Sequence, residues 1–146
     1  MNEVIAELVD ALGDDCVIVG EAIAQRATSY WDQSPTTALA LVRPGNTEQV
    51  SRALAICHAH GQPIITQGGL TGCVQGADAR PDEVIISLER MNHIERIDDQ
   101  GATVTVEAGA ILEVLQNAVA EKGLLFPLDL GARGSCTIGG NIATNA

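Results

Sequence analysis

Val4, Ile5, Leu8, Val9 and Leu12 recur at helical spacing, so the pattern predicts a helix over residues 2–12, closed by Gly13. From Asp14 to Pro35 the rhythm is lost, and this stretch reads as a connecting segment. Ala38-Leu-Ala-Leu-Val42 is a short apolar run with the look of a buried strand, closed by Arg43-Pro-Gly45. Asn46 or Thr47 then caps a helix carrying Val50, Ala53, Leu54 and Cys57, which ends at Gly61. Gln62 to Thr66 is a second strand that runs straight into a glycine-rich loop. Such a strand–helix–strand unit, about thirty residues long, fits a parallel crossover.

Farther along, Val84 to Leu88 predicts a third strand. Ile94–Asp98 and Ala102–Glu107 predict a hairpin turning at Asp99-Gln-Gly101, with Thr103 to Val106 alternating cleanly. Leu112, Leu115 and Val119 mark an amphipathic helix over 111–122, stopped by Gly123. One parallel unit plus one hairpin gives an α+β fold rather than a purely doubly wound sheet. The organisation expected is a helical lead-in over 1–36 and a main domain over 37–146.

Composition narrows the function. The 146 residues are 46% hydrophobic, yet Tyr30, Trp31 and Phe126 are the only aromatics, so the core is built of aliphatic side chains. A net charge of −11, with seven scattered arginines and Lys122, argues against nucleic acid and anionic membranes as partners. Any phosphate must then be held mainly by backbone N–H groups. No apolar run approaches the roughly 18 residues of a membrane span. Cys16, Cys57, Cys73 and Cys136 form no C-x-x-C pair and read as reduced thiols, with disulfides as the alternative. Together these features lead to the expectation of a cytoplasmic protein.

Two stretches carry candidate chemistry. Gln67-Gly-Gly-Leu-Thr-Gly72 follows a strand directly, and its glycines can turn several N–H groups toward one point, as in an anion nest for a pyrophosphate. A plain glycine-rich turn explains it equally well. It is neither a G-x-G-x-x-G fingerprint opening a helix nor a P-loop. The second stretch, Pro127 to Asn141, sets Asp129, Ser135, Thr137 and Asn141 among glycines and apolar residues, a mixture suited to a ring system with a polar edge. A surface loop is the bland alternative, although such a loop is normally more charged. His58 and His60 stand two apart on a helix and make a poor metal pair, and His93 reads as a solvated or hydrogen-bonded histidine. No metal site is expected. Cys136 has no evident base, and Asp78, Asp82, Glu83, Asp98 and Asp99 read as a solvated face.

The two stretches, about sixty residues apart and in this order, resemble the FAD-binding PCMH-type domain of the vanillyl-alcohol oxidase/p-cresol methylhydroxylase superfamily. Pro127-Leu-Asp-Leu-Gly-Ala-Arg-Gly-Ser-Cys-Thr-Ile-Gly-Gly-Asn141 is similar to its branch of FAD-linked D-2-hydroxyacid dehydrogenases, the D-2-hydroxyglutarate dehydrogenases above all. Gln67 to Gly76, Met91-Asn92 and Glu107-Ala-Gly109 resemble it too, and the likeness covers about Leu41 to Ala146.

The resemblance implies two α+β lobes with FAD between them. Residues Gln67, Gly68, Gly69, Leu70, Thr71 and Gly72 would cradle the pyrophosphate. Gly109, Pro127, Leu128, Asp129, Leu130, Gly134, Ser135, Thr137, Gly139, Gly140 and Asn141 would line the flavin and ribityl side. Several relatives tether the flavin to a histidine after the double glycine; Leu70 stands there and cannot form that bond, so FAD is expected to be non-covalent. In the family a hydride passes from the substrate α-carbon to flavin N5, and electrons leave to an external acceptor. The catalytic base, the substrate-binding arginines and any divalent metal are expected beyond Ala146. The chain then reads as an N-terminal piece of such an enzyme, holding FAD weakly or not at all alone, inactive, and open to self-association. A glycolate oxidase or D-lactate dehydrogenase type, a non-catalytic flavin-binding module and a lobe without cofactor are the competing readings.

Overall fold

The computed structural model describes residues 2–146. Asn2 caps the first helix, α1 (Glu3–Leu12), by accepting a hydrogen bond from the Val4 N–H at 3.1 Å. Its buried face is Val4, Ile5, Leu8 and Leu12, and Gly13, at φ 92°, ends it. The segment expected to be irregular holds two elements. A two-residue strand, β1 (Val17–Ile18), and a single helical turn, α2 (Glu21–Ala24), lie in it, followed by a bridge between Ala27 and Pro35. Each element spans about one period of its kind, too short for a repeat to show, which is why the pattern missed them.

The predicted crossover is present as β2 (Ala40–Val42), α3 (Thr47–Ala59) and β3 (Ile64–Gln67). Asn46 caps α3 with its Oδ1 on the Gln49 N–H at 2.9 Å. The third predicted strand is β4 (Val84–Ser87), and it does not lie at the edge. The sheet order is β1-β2-β4-β3, so β4 enters between the two strands of the crossover, parallel to both, while β1 caps the other side antiparallel to β2. Continuous apolar runs in β2 and β4 suit strands covered on both faces, whereas β3, on the edge, exposes Ile64 and Thr66. α1 and α3 cover one face: Val4, Leu8, Leu12 and Cys16 share a core with Ala40, Val42, Ala53, Cys57, Val84 and Ile86. Residues on both sides of position 36 therefore fill one core.

A second sheet is the predicted hairpin, β5 (Ile94–Asp98) with β6 (Thr103–Val106). α4 (Leu112–Ala120) buries Leu112, Leu115 and Val119 with Ala110, Cys136 and Ile138, and Phe126, Leu128 and Leu130 pack against that cluster. The glycine-rich path toward the C-terminus holds a helix that the pattern did not predict, α5 (Ile138–Ala143). Its signals are the Thr137 cap on the Gly140 N–H and the buried pair Ile138 and Asn141, set three apart. Two glycines in six residues hide it, because glycine is a poor helix former.

Candidate functional site

β3 ends at Gln67, one residue later than the sequence suggests, because Gln67 pairs in register with Ser87. Its side chain is buried and donates from Nε2 to the Ala77 carbonyl at 2.9 Å, so it braces the loop that follows. The chain then turns through Gly68 to Gly72, whose five backbone N–H groups donate no hydrogen bond among the described residues. Leu70 within this turn has φ 56°, a conformation that L side chains rarely adopt.

The turn lies against the second candidate stretch. A Cβ on Gly69 would fall 2.0 Å from the Ser135 carbonyl oxygen, and one on Gly68 would fall 2.5 Å from Thr137 Oγ1. Glycine is thus required at both positions, at Gly69 to let two backbones meet and at Gly68 to clear the Thr137 side chain. Together the stretches wall a cavity of about 470 Å³. From the sequence-derived set it is lined by Gln67, Gly68, Gly69, Leu70, Thr71, Gly72, Thr137, Gly139, Gly140 and Asn141. Asn141, which lines both this cavity and the adjoining apolar groove, is 8% exposed, and its buried Nδ2 has no hydrogen-bond partner among the described residues. Leaving such a group unpaired is costly, and a ligand acceptor would satisfy it.

Other expected site residues lie elsewhere. Gly109 is packed under the end of β4, where a Cβ would fall 1.9 Å from the Leu88 carbonyl oxygen, and its N–H bonds to Met91 O at 2.8 Å. It keeps two backbones together and is not part of the wall of this cavity. Leu128 lines a separate apolar groove of about 700 Å³ with Val104, Leu115, Phe126 and Ile138. Asp129 is exposed and pairs with Arg133 at 3.0 Å, which also reaches Glu113 at 3.4 Å. Asp129 and Glu113 together hold the Arg133 guanidinium above its usual range. Leu130 packs into the α4 core, Pro127 is exposed, and Gly134 has the Glu113 carboxylate 3.2 Å from where its Cβ would be. Ser135 is exposed and contributes its carbonyl to the Gly69 contact. Sequence reasoning missed Ser29, Val74 and Cys136, which also line the cavity. Ser29 carries no motif, and only the tertiary fold brings it there.

Residues 38–146 match a protein family described as the FAD binding domain. The chain belongs to that family. Its cofactor is FAD, and the five free N–H groups and the orphaned Asn141 amide fit an acceptor-rich dinucleotide. The chain is 43% identical over 136 residues to a probable mitochondrial D-2-hydroxyglutarate dehydrogenase of Oryza sativa subsp. indica, covering 92% of this chain and 24% of that protein. It is 46% identical over 110 residues to a putative mitochondrial D-lactate dehydrogenase of Schizosaccharomyces pombe, covering 75% of this chain and 21% of that one. The chain thus spans about a quarter of the length of the curated relatives it matches.

Among solved structures, alkyldihydroxyacetonephosphate synthase superposes with a TM-score of 0.86 at 21% identity, over 100% of this chain and 30% of that one. p-Cresol methylhydroxylase with substrate bound gives a TM-score of 0.75 at 25% identity, over 99% of this chain and 28% of that one. The fold is therefore the α+β FAD-binding PCMH type. The expectation of a cytoplasmic location is overturned by the Oryza sativa and Schizosaccharomyces pombe relatives, which are named as mitochondrial enzymes. Residues 2–146 contain no helix long and apolar enough to cross a membrane.

Proposed function

We propose that this FAD binding domain supplies one wall of the cofactor site of a D-2-hydroxyacid dehydrogenase acting on D-2-hydroxyglutarate or a close dicarboxylic 2-hydroxyacid. The single observation that carries the cofactor assignment is the junction of two distant glycine-rich stretches over one cavity, with free amides on one side and the Asn141 amide on the other. Likeness to named D-2-hydroxyglutarate dehydrogenases supports the substrate class.

In this reading the N–H groups of Gly68 to Gly72 hold the pyrophosphate, since the cavity needs neutral donors where the chain has no basic cluster. Asn141 Nδ2 donates to an acceptor of the ring or ribityl chain, and Thr137 keeps the Gly68 approach closed. Leu70 offers no nucleophile, so FAD is held non-covalently. The chemistry that FAD supplies when bound is acceptance of a hydride at flavin N5 from the substrate α-carbon, with electrons passing on to an external acceptor. The substrate-binding residues and the base are assigned to other parts of the enzyme.

A second reading is favoured by the 46% identity to a putative D-lactate dehydrogenase: a monocarboxylic D-2-hydroxyacid as substrate. Dye-linked oxidation by the complete gene product, run over a panel of 2-hydroxyacids, separates them. Preference for D-2-hydroxyglutarate supports the first; preference for D-lactate or glycolate rejects it in favour of the second.

A further inference from the structure

An ion pair far from the cavity in sequence reaches the root of a loop that abuts it. The Glu89 carboxylate, just beyond β4, receives both terminal nitrogens of Arg26, with Nη1 3.3 Å from Oε1 and Nη2 on Oε2. Arg43 Nη1 at 3.4 Å and Ser87 Oγ at 3.2 Å add two more donors. Both Arg26 and Glu89 are about two-thirds shielded from solvent.

Arg26 stands at the neck of the 27–35 loop. Its carbonyl accepts from the Thr36 N–H at 2.8 Å, Ala27 and Pro35 form a bridge, and the Thr28 N–H bonds to Ser34 O at 2.9 Å. The tip is stapled internally. Ser29 Oγ accepts from the N–H groups of Trp31 and Asp32, and Asp32 Oδ1 accepts from the Ser34 N–H. One tip amide points outward: the Tyr30 N–H donates to the Leu70 carbonyl at 3.1 Å. Leu70 is the residue of the cavity turn held at positive φ, and such a conformation persists only where its surroundings impose it. On one side Ser135 and Thr137 fix the glycines before it; on the other, Tyr30 holds its carbonyl. Relaxation to negative φ would rotate the neighbouring peptide and re-aim its N–H group.

We infer that the 27–35 loop is a positioning latch: Arg26 and Glu89 fix its neck to β4, and the Tyr30 amide holds Leu70 in the turn that binds FAD. Arg26 and Glu89 then set cofactor affinity without touching it. The inference rests on the reading that residues 68–72 hold the pyrophosphate, and the test separates the two.

Amide exchange is measured by site-resolved mass spectrometry on the complete gene product, with and without FAD, and FAD is titrated into the apoprotein by following flavin fluorescence. Glu89→Gln and Arg26→Gln should each speed exchange of the Tyr30 amide about tenfold, as expected for loss of one charge-assisted contact. Each should weaken FAD about tenfold with Leu70 present and leave it unchanged in a Leu70→Gly background, because glycine takes positive φ without help. A general loss of stability would weaken FAD in both backgrounds alike. Unchanged Tyr30 exchange in both variants overturns the latch, as does equal weakening with Gly at position 70. Arg26→Gln decides the matter if Glu89→Gln fails to fold, since among the described residues the Arg26 side chain has no hydrogen-bond partner but Glu89. If FAD protects no 68–72 amide in the unaltered complete gene product, the pyrophosphate assignment falls, while the exchange comparison still judges the latch.

Discussion

Close backbone approach, rather than turn flexibility, explains the glycines that matter most. Gly109 and Gly69 each meet a carbonyl oxygen at about half a normal contact distance once a Cβ is built, whereas Gly72 meets nothing within 4 Å. Gly109→Ala should therefore cost at least the roughly 1–3 kcal/mol typical of overpacking, and Gly72→Ala should lie within about 0.5 kcal/mol of the parent, as read from urea midpoints. Comparable losses at the two positions would refute the argument from close approach. Glu89 supplies a second residue-scale prediction. Burial alone pushes its carboxyl up, but Arg26, Ser87 and Arg43 together hold it below the ordinary range. A depressed folded pKa contributes stability above the unfolded value of about 4.3, and that stability disappears as pH falls through the folded pKa. The gap in urea midpoint between parent and Glu89→Gln should shrink between about pH 6 and about pH 3. A gap that widened on acidification would contradict this sign.

Elements at the N-terminus contribute to the fold as much as the crossover does. Leu8 of α1 is fully buried against the sheet and α3, so Leu8→Ala should cost about 2–5 kcal/mol. Asn46→Ala should remove only the α3 cap and cost about 1 kcal/mol, because the Gln49 N–H is exposed and water can replace the bond. Denaturant unfolding of both variants measures the ratio. Near-equal effects would mean that α1 is a loosely attached lead-in, despite sharing its core with β2 and β4.

At the scale of the whole molecule, the cavity between the glycine-rich stretches and the groove lined by Val104, Leu115, Phe126 and Ile138 lie back to back, with Ala108, Gly139 and Asn141 on both. Anything that packs into the groove therefore presses on the residues that present the Asn141 amide. Acid precipitation of the complete flavoprotein should release its FAD into the supernatant, because Leu70 offers no bond to the ring. Yellow colour retained in the washed pellet would reject the non-covalent reading.

The hydrophobic pattern by itself determined α1, α3, α4, the crossover strands, β4 and the hairpin, since each carries its own period or cap over enough residues to be read. The motif residues Gln67 to Gly72 and Thr137 to Asn141 were legible for the same reason: their spacing and glycine content are local. Strand order was not local. β4 enters between β2 and β3 because all three are apolar and parallel, and only the packing of the helices decides which neighbour each takes. The Gly109 backbone contact and the Asp129 ion pair with Arg133 are likewise set by the tertiary structure and not by the motifs that hold those residues. Ser29 and the Tyr30 amide carry no sequence signal at all. A backbone N–H is the same in every residue but proline, so its meeting with Leu70 is decided by the tertiary structure alone.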